Sequence, residues 1–251
     1  MKRETIKYVA MVTAAVLLVG ICVAGIHRFR RYQAKKALVD LARDTTGFDA
    51  SEASGTEDVL IDFDKLQEKN SDIYAWILIP GTQINYPILQ STGDEDDDFY
   101  LMHNLDKSKG YPGCIYTQKR NSLDFTDRNT VIYGHNMKDG TMFASLHDYE
   151  EEVFLTEHPF IYIYTPEGKL TYQIFAVYTA GNVNLLDYYG DFENTAAYQQ
   201  YLTEVESQYG EDGAIIDTTV SVDASDRIIT LSTCLGVDTE RFLVQAKLIS
   251  D

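Results

Sequence analysis

Nineteen consecutive residues without a charge, Tyr8 to Ile26 (YVAMVTAAVLLVGICVAGI), set the strongest limit on how this chain folds. Backbone groups placed in hydrocarbon must pair within their own segment, which leaves a helix as the stable form for such a run. At about 1.5 Å per residue it spans roughly 28 Å, close to a bilayer core of about 30 Å. A cleaved secretory leader is the competing reading, but its apolar region runs to about 15 residues and ends in a small-residue cleavage site. Here the run is longer, no Ala-x-Ala site follows, and Cys22 lacks the small residues that a lipoprotein signal places before it. Residues 1–28 therefore read as a short tail and an uncleaved, single-pass transmembrane anchor.

Charge divides the chain at the same place. Residues 1–36 hold eight of the 21 basic residues and one of the 39 acids, so the remainder carries 13 basic and 38 acidic residues, a net of −25. Such an acidic body excludes a general nucleic-acid binder, which needs a basic face. Three Cys are too few for a disulfide scaffold. Arg28, Arg30, Arg31, Lys35 and Lys36 follow the span, whereas Lys2, Arg3 and Lys7, offset by Glu4, precede it. A literal positive-inside count puts the body in the cytoplasm. That rule is statistical, and the chemistry of the body has to decide.

Residues 29–57 read as an amphipathic stalk, with Ala34, Leu38 and Leu41 at helical spacing, followed by a small, polar, acidic linker over 44–57. Residues 58–251 form the main domain. A short helix is expected over 61–70, then apolar or alternating runs at 72–79, 83–89, 114–117, 129–134, 160–165, 170–180, 226–233 and 241–249. Helical stretches interrupt them near 141–150 and at 194–209, the latter packing through Tyr198, Leu202 and Val205. Many short strands with few helices predict a mostly β fold with flanking helices, closed or nearly closed as an antiparallel-rich barrel. The acid run Asp94–Asp98 does not space its carboxylates as a calcium loop does and reads as a solvated loop. No metal site is expected. Cys114 is expected to point into the barrel.

Cys234 ends the β run IITLST, and Arg241 opens the next one after the loop LGVDTE. Paired as an antiparallel hairpin, the two runs bring thiol and guanidinium to one end of adjacent strands. The cation there favours a thiolate and can hydrogen-bond a developing oxyanion. A nucleophilic Cys needs a proton-transfer partner, most often His. Of five His, His135 follows a strand directly, in YGHNM, where Gly134 lets the chain turn and present the ring. The bland alternatives are a buried strand-end Cys and a structural His. Ser232 alternates with Thr233 and shares a face with Cys234. Ser232, Thr233 and Asn136 are the candidates for substrate contact, with a satisfied barrel Ser and a turn-closing Asn as the competing readings. Asp238 and Glu240 are candidate acids for orienting His135.

TLSTC at 230–234, a downstream Arg241 opening a terminal strand, and an upstream His135 occur in an order that resembles the sortases, membrane-anchored cysteine transpeptidases of Gram-positive bacteria. The stretches NTVIYGHNMKDGTMFASLHDY (129–149) and WILIPGTQINYPIL (76–89), and the helix-bearing insertion before residue 226, resemble class B members. The likeness runs over about residues 60–249.

That resemblance implies an eight-stranded β-barrel behind an N-terminal transmembrane helix, with the catalytic domain outside the cell, against the literal charge count. It implies Cys234 as nucleophile, His135 as general acid/base and Arg241 as the group that orients substrate and stabilises the oxyanion, with no cofactor. The implied partners are secreted proteins bearing a C-terminal sorting motif, cleaved after Thr, and the amine of a lipid-linked peptidoglycan precursor. A pilin Lys as acceptor, a cysteine hydrolase and a non-catalytic wall-binding β-domain are the other readings.

Overall fold

The computed structural model describes residues 2–47, 53, 59–234 and 239–251. The span and the stalk form one helix, α1 (Lys2–Thr46), which continues past Asp44, where the composition turns linker-like. Gly47, at φ +79°, ends it by donating its N–H to the Arg43 carbonyl (2.9 Å), a backbone geometry that favours glycine. Most of the linker, residues 48–52 and 54–58, lies outside the described residues. The apolar residues described between 8 and 26 are exposed, and the helix is long and apolar enough to cross a membrane. Its far end is seated on the body. Leu38, Leu41 and Ala42 are buried there, Asn85 Nδ2 donates to Thr46 Oγ1 (2.9 Å), and Lys35 pairs with Asp139 (3.0 Å).

The strands are β1 (Ile73–Leu78), β2 (Asn85–Leu89), β3 (Ile115–Thr117), β4 (Asn129–Tyr133), β5 (Phe160–Thr165), β6 (Gly168–Gly181), β7 (Ile215–Ile216), β8 (Ile228–Cys234) and β9 (Glu240–Ser250). Eight of them close into a barrel in the order β5-β1-β2-β3-β4-β8-β9-β6, with β6 pairing back to β5, while β7 adds to β6 outside the ring. Pairing is antiparallel except for β2–β3 and β4–β8, which run parallel. The eight strands of the ring sit on the apolar or alternating runs of the sequence. β7, two residues long, has no such signal.

Isoleucines and valines from around the ring, among them Ile77, Ile88, Ile132, Ile163, Ile229 and Val244, fill the interior. A second cluster lies outside the wall, under α1 and α2 (Phe63–Lys69), and holds Trp76, Leu78 and Tyr116. Both faces of β1 are therefore covered, which is why IYAWIL is buried at every position and reads as a continuous apolar run. Cys114 is buried in this outer cluster. Its neighbour Ile115 points into the barrel instead, because successive side chains alternate across the wall.

A third cluster packs α4 (Leu185–Tyr189) and α5 (Thr195–Glu206) against β6, β8 and β9. Asn194 caps α5 by accepting from the N–H groups of Ala196 and Ala197, and Tyr198, Tyr201, Leu202 and Val205 face the wall. α4 is too short to show a helical period. Near 141–150 the chain forms a 3-10 turn, Ala144–Glu150, followed by α3 (Glu152–Glu157). The acid run leads into another 3-10 turn, Phe99–Leu101.

Candidate active site

The β8–β9 register sets Cys234 opposite Arg241. Arg241 Nη1 donates to Cys234 Sγ (2.6 Å), and Arg241 Nε donates to Asn182 Oδ1 (2.9 Å). Asn182 follows β6 and is itself tied to the residue before β9, its N–H donating to the Thr239 carbonyl (2.9 Å). Arg241 thus bridges two strand ends and holds one N–H on the half-buried sulfur. The loop 235–238, with Asp238, lies outside the described residues.

The parallel β4–β8 pair brings the second group in. Tyr133 pairs with Ser232, and the Gly134 N–H continues the ladder to the Ser232 carbonyl (3.2 Å). A Cβ on Gly134 would lie 2.5 Å from Ile115 Cδ1 and 2.7 Å from a Phe143 ring carbon, so the close approach needs glycine. His135 comes next. Its Nε2 lies 2.7 Å from the Leu101 carbonyl. A carbonyl can only accept, so Nε2 carries the hydrogen and the neutral ring keeps its lone pair on Nδ1. Tyr111 packs against the ring at 5.0 Å. Burial draws His135 below its ordinary value of 6.5; the Leu101 hydrogen bond pushes back, and the positive charge of Arg241 adds to the lowering. The imidazole is therefore neutral at pH 7.

Asn136 closes a short bridge with Met142 and also reaches β8: its Nδ2 donates to the Cys234 carbonyl (3.0 Å) and to His147 Nε2 (2.9 Å). His147 Nδ1 donates to Glu150 Oε1 (2.6 Å), which leaves Nε2 to accept, and its ring stacks on Phe242 at 4.5 Å. A chain Glu150–His147–Asn136 thus fixes the backbone on which Cys234 sits.

Of the candidate residues, Cys234, Arg241 and Asn136 are joined by hydrogen bonds, and His135 lies close enough to Arg241 to feel its charge. Ser232 and Thr233 flank them but are 5% and 2% exposed, with Thr233 turned from the Cys234 face. His135 Nε2 is held by the Leu101 carbonyl; of the two candidate acids, Asp238 lies outside the described residues. Leu101, Asn182, Tyr111 and the His147–Glu150 pair went unnoticed in the sequence. A backbone carbonyl has no residue signature, and Asn182 and Tyr111 lie in loops whose return to the site depends on the fold.

Residues 77–249 match the family model described as the sortase domain. The chain is 38% identical to sortase B of Listeria monocytogenes over 227 residues, 86% of this chain and 85% of that one. Its fold superposes on sortase B of B. anthracis in complex with AAEK1 at a TM-score of 0.70 and 32% identity, covering 88% of this chain and 98% of the other. It also matches a Staphylococcus aureus sortase B–substrate complex at a TM-score of 0.64 and 35% identity, covering 75% and 84%. The chain belongs to the sortase family, among its class B members. It is a cysteine transpeptidase, of a family that acts on substrates bearing sorting signals.

Proposed function

We propose that this enzyme joins secreted proteins to the cell wall through a thioester on Cys234. The observation that carries this reading is the guanidinium held on the Cys234 sulfur, with a neutral His135 presented from the adjoining strand end. Cys234 Sγ attacks the carbonyl carbon of a Thr in the sorting motif while its proton passes to His135 Nδ1. The oxyanion meets the Arg241 N–H groups. The amide C–N bond breaks, and the His135 imidazolium gives its proton to the departing amine, leaving a thioester.

An amine from a lipid-linked peptidoglycan precursor then attacks the thioester carbonyl, its proton returning to His135. The C–S bond breaks, and the sulfur leaves under the same guanidinium. A new amide joins the target to the wall precursor, and no cofactor enters the balance. On this reading residues 1–28 anchor the chain by a single pass, 29–57 join the anchor to the body close to the membrane surface, and 58–251 work outside the cell.

The test incubates the full chain in detergent with a library of Thr-containing sorting peptides and a small amine, and identifies products by mass. The expected result is a peptide thioester on Cys234 and amine-linked product that grows at the expense of hydrolysis as amine rises. Product that stays hydrolytic at every amine concentration overturns transfer.

A further inference from the structure

A groove of about 940 Å³ runs between α1 and the segment 104–111 of the body. Arg30 and Arg31 line it from the helix, and Lys69, Lys109 and Tyr111 from the body. Its one lining acid, Asp106, accepts the Ser108 N–H (3.0 Å). Four cations thus face one cleft in a protein whose body carries a net charge of −25.

The position of the cleft names its medium. Arg30 and Arg31 follow Ile26, the last residue of the apolar span, by four and five positions. On a straight helix that is about 6–8 Å beyond the hydrocarbon edge. The headgroup layer, where lipid phosphates lie, is itself about 5–8 Å deep. One end of the cleft reaches the chemistry: the Arg31 guanidinium lies 5.1 Å over the Tyr111 ring, and that ring lies 5.0 Å from His135.

We infer that this groove binds the phosphate headgroup of the lipid-linked amine donor and delivers its amine past Tyr111 to His135. The inference rests on the acyl-transfer reading above. The continuity with His135 favours the donor over bulk anionic phospholipid, which needs no path to a catalytic ring.

The test places the full chain in phosphatidylcholine vesicles, as parent and as an Arg30→Gln/Lys109→Gln variant. It measures KM for two acceptors, a peptide amine carried on a prenyl pyrophosphate and the same peptide free in solution. Removing two headgroup-facing cations should raise the ratio of the two KM values by about tenfold or more. Binding of the peptide-free prenyl pyrophosphate, followed by Trp fluorescence or a thermal shift, should weaken in parallel, and this readout needs no turnover. An unchanged ratio with unchanged binding overturns the inference. So does an equal rise for both acceptors, which marks a structural defect. Phosphatidylglycerol competing as well as the prenyl pyrophosphate would assign the groove to bulk lipid. Failure of the acyl-transfer reading shows separately, as absence of a Cys234 thioester in the parent chain.

Discussion

Cys234 and Cys114 occupy two parts of the same barrel wall and differ in what surrounds the sulfur. Cys114 is 1% exposed among Trp76, Tyr100 and Tyr116, and burial pushes its thiol far up, with the charge of Asp106 adding to the effect. Its neighbour Tyr100 belongs to a separate polar group. Lys107 pairs with the buried Asp72 (2.8 Å), which also accepts from Tyr100 (2.6 Å) and Thr92 (2.7 Å). Burial alone would raise Asp72; those three donors outweigh it and hold its carboxyl below the usual range. At Cys234 the guanidinium points at sulfur, and an amide, Asn182, takes its other edge. The difference is one of partners: the fold sets a guanidinium on one sulfur and packs aromatic side chains around the other.

The sharpest way to break the comparison is to remove each sulfur in turn. Cys234→Ala should abolish both thioester and transfer, whereas Cys114→Ala should keep both and lose about 1–2 kcal/mol of stability in urea unfolding. Mass spectrometry of the acyl-enzyme reads the first effect. A Cys114→Ala enzyme that folds but forms no thioester would end the distinction.

Arg241→Lys tests whether charge alone suffices. One ammonium cannot hold Sγ and Asn182 Oδ1 together as the planar fork does, so acylation should slow by about 10²–10³-fold. Near-parent rates in single-turnover acylation would reduce Arg241 to a point charge.

The smallest effect is in pH. Because the native value of His135 lies below 6.5, the unfolded chain takes up the proton first as pH falls. The stability that neutral His135 contributes is present above 6.5 and is lost as pH drops toward its lowered native value. Urea titrations of parent and His135→Gln at pH 7 and pH 5 should therefore differ, with the parent losing up to about 1 kcal/mol more on acidification. Equal losses would show that the buried imidazole is not held neutral.

Much of the site was legible because it is local. The spacing from Cys234 to Arg241 is a hairpin, and the register of a hairpin follows from its two strands and their loop. His135 could be read from its place directly after a strand and a glycine, although Gly134 serves close packing against Ile115 and Phe143 and not a turn. The strands themselves were legible from alternation or, as in β1, from an unbroken apolar run that reflects cover on both faces. What escaped was held by distant pairing. The parallel β2–β3 and β4–β8 ladders leave no local trace, and the Leu101 carbonyl that sets the His135 tautomer is common to every residue type. The outward placement of Cys114 depended on strand phase at the start of β3, which three residues of sequence pattern do not fix.

The distance between the parts of the site along the chain has a consequence for how the protein matures. The hydrogen bond from Asn136 to Cys234 closes a separation of 98 residues, that from Arg241 to Asn182 one of 59, and that from His135 to Leu101 one of 34. Such contacts form late, since loop-closure entropy is lost before they give anything back. A chain still being synthesised or threaded across a membrane can pair Cys234 with Arg241, seven residues on, but does so before Asn136, Asn182 and His135 are held in place. The full set of contacts around Cys234 is therefore complete only with the finished barrel.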